Sequence, residues 1–164
     1  MGFHLFLFLV LIAAGFQIAR MTTKSADRMG EVVLRWTLVG YCGVPMIGFM
    51  GYGIFRPDEL AAMTGFEPGS PFQTFTMWAL LGMGVAATLS WRLRGPYLVG
   101  PALSWAIFFV GATSIHLTQF SSAGSLTHGA MLQILATHGL ISVILLGSLW
   151  ASAPWRQPPP TTEA

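Results

Sequence analysis

Four histidines and six acids are the side chains best suited to chemistry in this chain. His4 opens the first of five apolar runs, His116 ends the fourth and His128 opens the fifth. His138 lies ten residues further on, so roughly 15 Å into that run if it is helical. Three chemistries are open to these imidazoles. Neighbouring helices can satisfy them by hydrogen bonds, with Thr113, Gln133, Thr137 and Ser142 as the available partners. His116 or His138 can ligate a haem or other pigment as a neutral imidazole, although no CxxCH attachment motif is present. His4, His116 and His128 can form a metal site at one membrane face. His128 and His138 do not share one ligand face, because ten residues at 3.6 per turn leave them about 80° apart.

The acids are Asp27, Glu31, Asp58, Glu59, Glu67 and Glu163, all in loops, tails or run ends. A proton pump or cation transporter keeps an ionisable group at depth, and no carboxylate is placed there. Glu31 and Arg35 are four apart and suit an ion pair. A single cysteine, Cys42, excludes an internal disulfide and a CxxC redox pair. The sequence offers no paired nucleophile and base, no phosphate loop and no metal-ligand cluster.

These residues sit in a chain that is 54% hydrophobic and 9% charged, with mean hydropathy +0.65. A soluble domain carries about 25% charged residues, so most of this surface must face lipid or other helices. The net charge of +2 does not imply nucleic acid, because the few basic residues punctuate apolar runs.

The runs lie at about 2–19, 32–55, 72–91, 97–118 and 129–150. Each approaches the ~20 residues needed to cross a hydrocarbon core, and backbone satisfaction in lipid makes them helices. The expected fold is an all-α integral membrane protein, a compact bundle of five transmembrane helices over residues 1–153. Residues 154–164 form a Pro-rich tail, expected to be extended and disordered. No basic residue precedes the first run, as a signal peptide would require, so that run reads as an uncleaved span. With the N-terminus outside, Arg20, Lys24, Arg28, Arg35, Arg92, Arg94 and Arg156 fall inside and only Arg56 outside. Seven of the eight basic residues then obey the positive-inside rule. The expected location is a bacterial cytoplasmic membrane, with the C-terminus inside.

Between the second and third runs, Pro57 starts a short helix with Asp58 and Glu59 in its first turn, where the helix dipole favours acids. Leu60 and Met63 share a face, so this reads as a surface helix lying on the outer leaflet. Arg56 can pair with Asp58 or Glu59. Next, Ser70, Pro71 and Gln73 form a capping box for the third span, with the glutamine side chain returning to the serine backbone.

The segments "FRPDELAAMTGFEPGSPFQ", "LLGMGV" and "RGPYLVGPALSWAIFFVGATSIH" resemble an uncharacterised family of small bacterial and archaeal membrane proteins. The matching positions include Phe55, Pro57, Asp58, Glu59, Ser70, Pro71, Phe72, Gln73, Gly111, Ala112 and His116. The resemblance implies a multi-span fold and supplies no activity. The chain departs from it after the Ser-Pro-Phe-Gln motif, where Thr74, Phe75, Thr76 and Trp78 stand in place of an acid and an asparagine.

Small residues carry the packing signals. Gly82, Ala86 and Ser90 recur every four residues, as do Gly100 and Ser104, which lets helices approach closely. Five glycines surround Pro45 in the second span, which should kink it. The sequence thus favours a non-catalytic accessory subunit or a module that binds a lipidic ligand, and assigns no cofactor. Its rivals are a redox subunit using the membrane histidines and a small oligomeric transporter. The expected partners are the lipid bilayer and a larger membrane complex or further copies of the chain.

Overall fold

The computed structural model describes residues 2–64, 67–123 and 135–156, with side chains over 5–62, 67–118 and 135–155. The described residues form six principal helices and no strand. These are α1 (Gly2–Ala19), α2 (Ala26–Phe55), α3 (Pro57–Thr64), α4 (Pro71–Leu89), α5 (Val99–Ala123) and α6 (Leu135–Ser152). A 3₁₀ turn, Gly95–Leu98, leads into α5.

Four helical segments are long and apolar enough to cross a membrane: α2, α4, Gly95–Thr118 and α6. In α1 the described apolar stretch is Leu5–Ala19, shorter than the ~20 residues of a full crossing. Five spans were expected; length and composition support four among the described residues. Two boundaries also move. The second span starts at Ala26 rather than Val32, directly after Ser25 in extended conformation. The fourth helix runs on to Ala123, past Thr118.

The core is apolar and centred on Trp105, Leu34, Leu38, Leu98, Ile141 and Leu145, all fully buried. Three close approaches set the helix arrangement. A Cβ on Gly30 would lie 2.7 Å from the Ser152 backbone nitrogen, so the start of α2 packs directly on the end of α6. Gly84 of α4 meets Ile47 of α2. Gly53 near the end of α2 receives the Leu60 side chain of α3. The apolar side of α3 is therefore turned into the protein, with Leu60 and Ala61 buried. Of the face expected to lie on the membrane surface, Leu60 packs on the protein, and the Met63 side chain lies outside the described residues.

The expected small-residue seam behaves differently. Gly82 and Gly100 have nothing within 4 Å of a would-be Cβ. Ala86, Gly100 and Ser104 instead line a hollow of about 180 Å³ between α4 and α5. Tyr97 and Trp105 cross it, donating to the Ala86 carbonyl at 2.8 Å and the Met83 carbonyl at 3.2 Å. Two large side chains that need hydrogen-bond acceptors hold these backbones apart.

At Pro45 the chain widens into a π-helical segment, Leu38–Gly43. The Val44 N–H donates to the Val39 carbonyl five residues back. Proline has no N–H to give the carbonyl four residues earlier, and its ring crowds that carbonyl. An inserted residue just upstream relieves both problems. Pro45 then sits in the first turn of the following α-helical segment, Val44–Phe55.

Candidate functional site

The loop residues form one polar knot. Ser70 is the N-cap of α4, and its Oγ accepts from the Gln73 N–H at 3.2 Å. The Gln73 carboxamide does not return to the Ser70 backbone, as the capping box predicts. Its Oε1 accepts from the Gly69 N–H at 2.7 Å, and its Nε2 donates to the Pro57 carbonyl at 2.8 Å. Gln73 is fully buried. It ties the start of α3 to the start of α4, a contact across sixteen residues of sequence. Pro71 occupies the first turn of α4. Arg56 pairs with Glu59 at 3.2 Å rather than with Asp58, and both partners are well exposed. Glu59 also accepts from the Tyr52 hydroxyl.

The histidines fall into two groups. The His4 side chain and His128 lie outside the described residues, as does Gln133. His116 and His138 come together, with ring centroids 5.8 Å apart and planes inclined at 51°. The sequence placed them at different depths. They share a level because α5 continues seven residues beyond His116, roughly 10 Å at 1.5 Å per residue. Both rings are half-buried. The His138 ring also meets Phe109 edge-on at 5.5 Å, and its Nδ1 lies 3.1 Å from the Thr137 Oγ1. Of the other expected partners, Thr113 donates to the Phe109 carbonyl and Ser142 to the His138 carbonyl.

His138 sits in a second π-helical segment, Leu135–Gly139. The two π segments are joined: Tyr41 of the first donates to the Thr137 carbonyl of the second at 3.4 Å. Such segments release a carbonyl from the regular helical ladder, and here a side chain from another helix takes one up. Tyr41 also packs on Phe109 at 6.1 Å, and Phe109 stacks on Trp105 at 5.4 Å. The result is a polar thread, Tyr41–Thr137–His138–His116, set in an aromatic wall. Among the described residues no three His, Cys, Asp or Glu side chains are grouped to hold a metal.

Sequence reading missed Arg35 as a buried group. It is 7% exposed and makes no ion pair with Glu31 among the described residues. Its Nε donates to the Ser90 carbonyl at 3.0 Å and its Nη2 to the Trp91 carbonyl. It caps the C-terminal end of α4, where exposed carbonyls favour a cation. The guanidinium also lies over the Trp91 ring, 5.2 Å from its centroid. The available signal was position: Arg35 is nine residues into α2, between Leu34 and Trp36. Beside it opens a cleft of about 580 Å³ lined by Gln17, Asp27, Arg28, Glu31, Arg35 and Arg94, with Met21 and Val32 as its apolar part.

No curated protein and no solved structure matches this chain. One family profile does, over residues 1–158, nearly the full length that carries the knot, the histidine pair and the cleft. The chain belongs to DUF6790, a family of unknown function.

Proposed function

We propose that this protein is a non-catalytic module of a cytoplasmic membrane that binds a lipidic ligand at the His116–His138 contact. The observation that carries the reading is the half-buried imidazole pair at the end of the Tyr41–Thr137 thread. Ile115 beside His116 and Leu140 near His138 are exposed apolar side chains, which suits a site approached from the lipid. A neutral imidazole donates one hydrogen bond and accepts one. The ligand class is an apolar molecule with a hydrogen-bonding polar end.

In the same reading α1 is a fifth crossing. Val10 seats against Gly40, and Gln17 accepts from the Trp36 indole at 2.6 Å, so α1 is held to α2 at two levels. Arg20 and Lys24 directly follow α1, which suits an external N-terminus and an internal arginine-rich end.

A second reading is favoured by the ring spacing. Two imidazoles bound to one ion at about 2.0–2.1 Å per nitrogen have centroids roughly 5 Å apart in a tetrahedral arrangement and roughly 6.5 Å apart in a linear one, and the 5.8 Å here lies between them. That would make the pair ligands to a metal or haem.

One experiment separates the readings: mass spectrometry and an absorption spectrum of protein gently extracted from its own membrane. A bound lipidic molecule lost in both His116→Gln and His138→Gln supports the first reading. A visible band or metal lost in both supports the second. Co-purification of a larger complex, unaffected by either variant, makes the protein an accessory subunit and removes the ligand proposal.

A further inference from the structure

We propose that the cleft between the end of α1, the first turns of α2 and the α4–α5 turn binds the phosphate of an anionic, hydroxyl-bearing lipid headgroup. This site lies at the arginine-rich end of the bundle and does not depend on the histidine pair.

Charge is the first argument. The cleft is lined by three guanidiniums, Arg28, Arg35 and Arg94, and two carboxylates, Asp27 and Glu31. Three positive and two negative groups leave one net positive charge. Among the described residues the ion pair present is Arg56–Glu59, elsewhere in the fold. The three arginines are thus brought together without a carboxylate bound to any of them.

Arg35 is the second argument. It is nine-tenths buried, yet its hydrogen bonds go to two neutral carbonyls. Arg94, a like charge, and Glu31, an opposite one, both lie within Coulombic reach of it. The two carboxylates of the cleft do not balance its three guanidiniums, and a phosphate between Arg35 and Arg94 supplies the missing charge with bidentate hydrogen bonding.

The surroundings select the source of the phosphate. A volume of about 580 Å³ is within the range of small-molecule sites. Phe16, Met29, Trp91 and Leu93 near the cleft are exposed apolar side chains, as a membrane boundary with lipid chains alongside requires. Basic pockets between spans on the cytoplasmic side are suited to anionic headgroups. Asp27 and Glu31 can accept hydrogen bonds from headgroup hydroxyls, which favours a phosphoglycerol over a bare phosphate.

The test uses the full-length chain in phosphatidylcholine nanodiscs doped with phosphatidylglycerol. Native mass spectrometry reads the phosphatidylglycerol retained per protein. Arg28→Gln with Arg94→Gln, both at exposed positions, should weaken retention by roughly thirtyfold. Lys24→Gln with Arg92→Gln removes the same charge from the same end outside the cleft and should leave retention within a few-fold. Equal losses from the two pairs would reduce the effect to general surface charge and overturn the site. Displacement of the lipid by inorganic phosphate would make a free phosphate the ligand and overturn the lipid assignment.

Discussion

The Tyr41 hydroxyl reaches the Thr137 carbonyl at 3.4 Å, and this bond joins two π-helical segments that stand ninety-six residues apart in sequence. Tyr41→Phe should keep the fold and lower stability by about 0.6–2 kcal/mol, the range for hydrogen bonds between membrane helices. Unfolding of the two proteins in the same detergent measures it. An unchanged midpoint would mean that the segments are held by ring packing alone.

Gln73 and Ser70 should differ in cost. Ser70→Ala removes one capping bond, worth about 0.5–2 kcal/mol. Gln73→Ala leaves the Gly69 N–H and the Pro57 carbonyl without their partner, at about 1–3 kcal/mol for each group that stays buried. Gln73→Glu keeps the acceptor for Gly69 but turns a carboxylate on the Pro57 carbonyl at a fully buried position, so it should cost at least as much as alanine at neutral pH. A larger loss for Ser70→Ala than for Gln73→Ala would contradict the tie between α3 and α4.

Glycines in the same helix should respond in opposite directions. Gly30→Ala places a methyl group 2.7 Å from the Ser152 backbone nitrogen, and overpacking of this kind costs about 1–3 kcal/mol. Gly48→Ala meets nothing within 4 Å and should gain up to about 1 kcal/mol from helix propensity. Thermal midpoints of the two variants should move apart. Equal shifts would argue against the close α2–α6 approach.

The topology can be read by cysteine labelling after Cys42→Ala. Single cysteines at Ser122 and Thr161 should label from opposite sides of the membrane, with Lys24→Cys matching Thr161→Cys. A cysteine at Gly2 should label with Ser122→Cys if α1 crosses. Labelling of Gly2→Cys from the same side as Lys24→Cys would leave four crossings and place α1 on one face.

Local sequence determined the helical class, the start of α4 and the four segments long and apolar enough to cross a membrane. Those features depend on contacts within a few residues: an apolar run long enough for a bilayer, or Ser70 three residues before the N–H it caps. Tertiary structure alone decided the rest. The π segment before Pro45 inserts a residue and turns every later side chain of α2 by roughly 100°, so no regular helical wheel predicts which residues face inward. The meeting of His116 with His138 depends on how far α5 continues and on the relative height of α6, neither of which either helix encodes alone. Arg35 reads as one more basic residue near a helix end until α4 finishes beside it and offers the Ser90 and Trp91 carbonyls. The Gly82–Ala86–Ser90 repeat signals close packing by spacing, yet Tyr97 and Trp105 keep α5 away from it at the hollow. Spacing along one helix fixes a face; the partner that meets it is set by side chains on another.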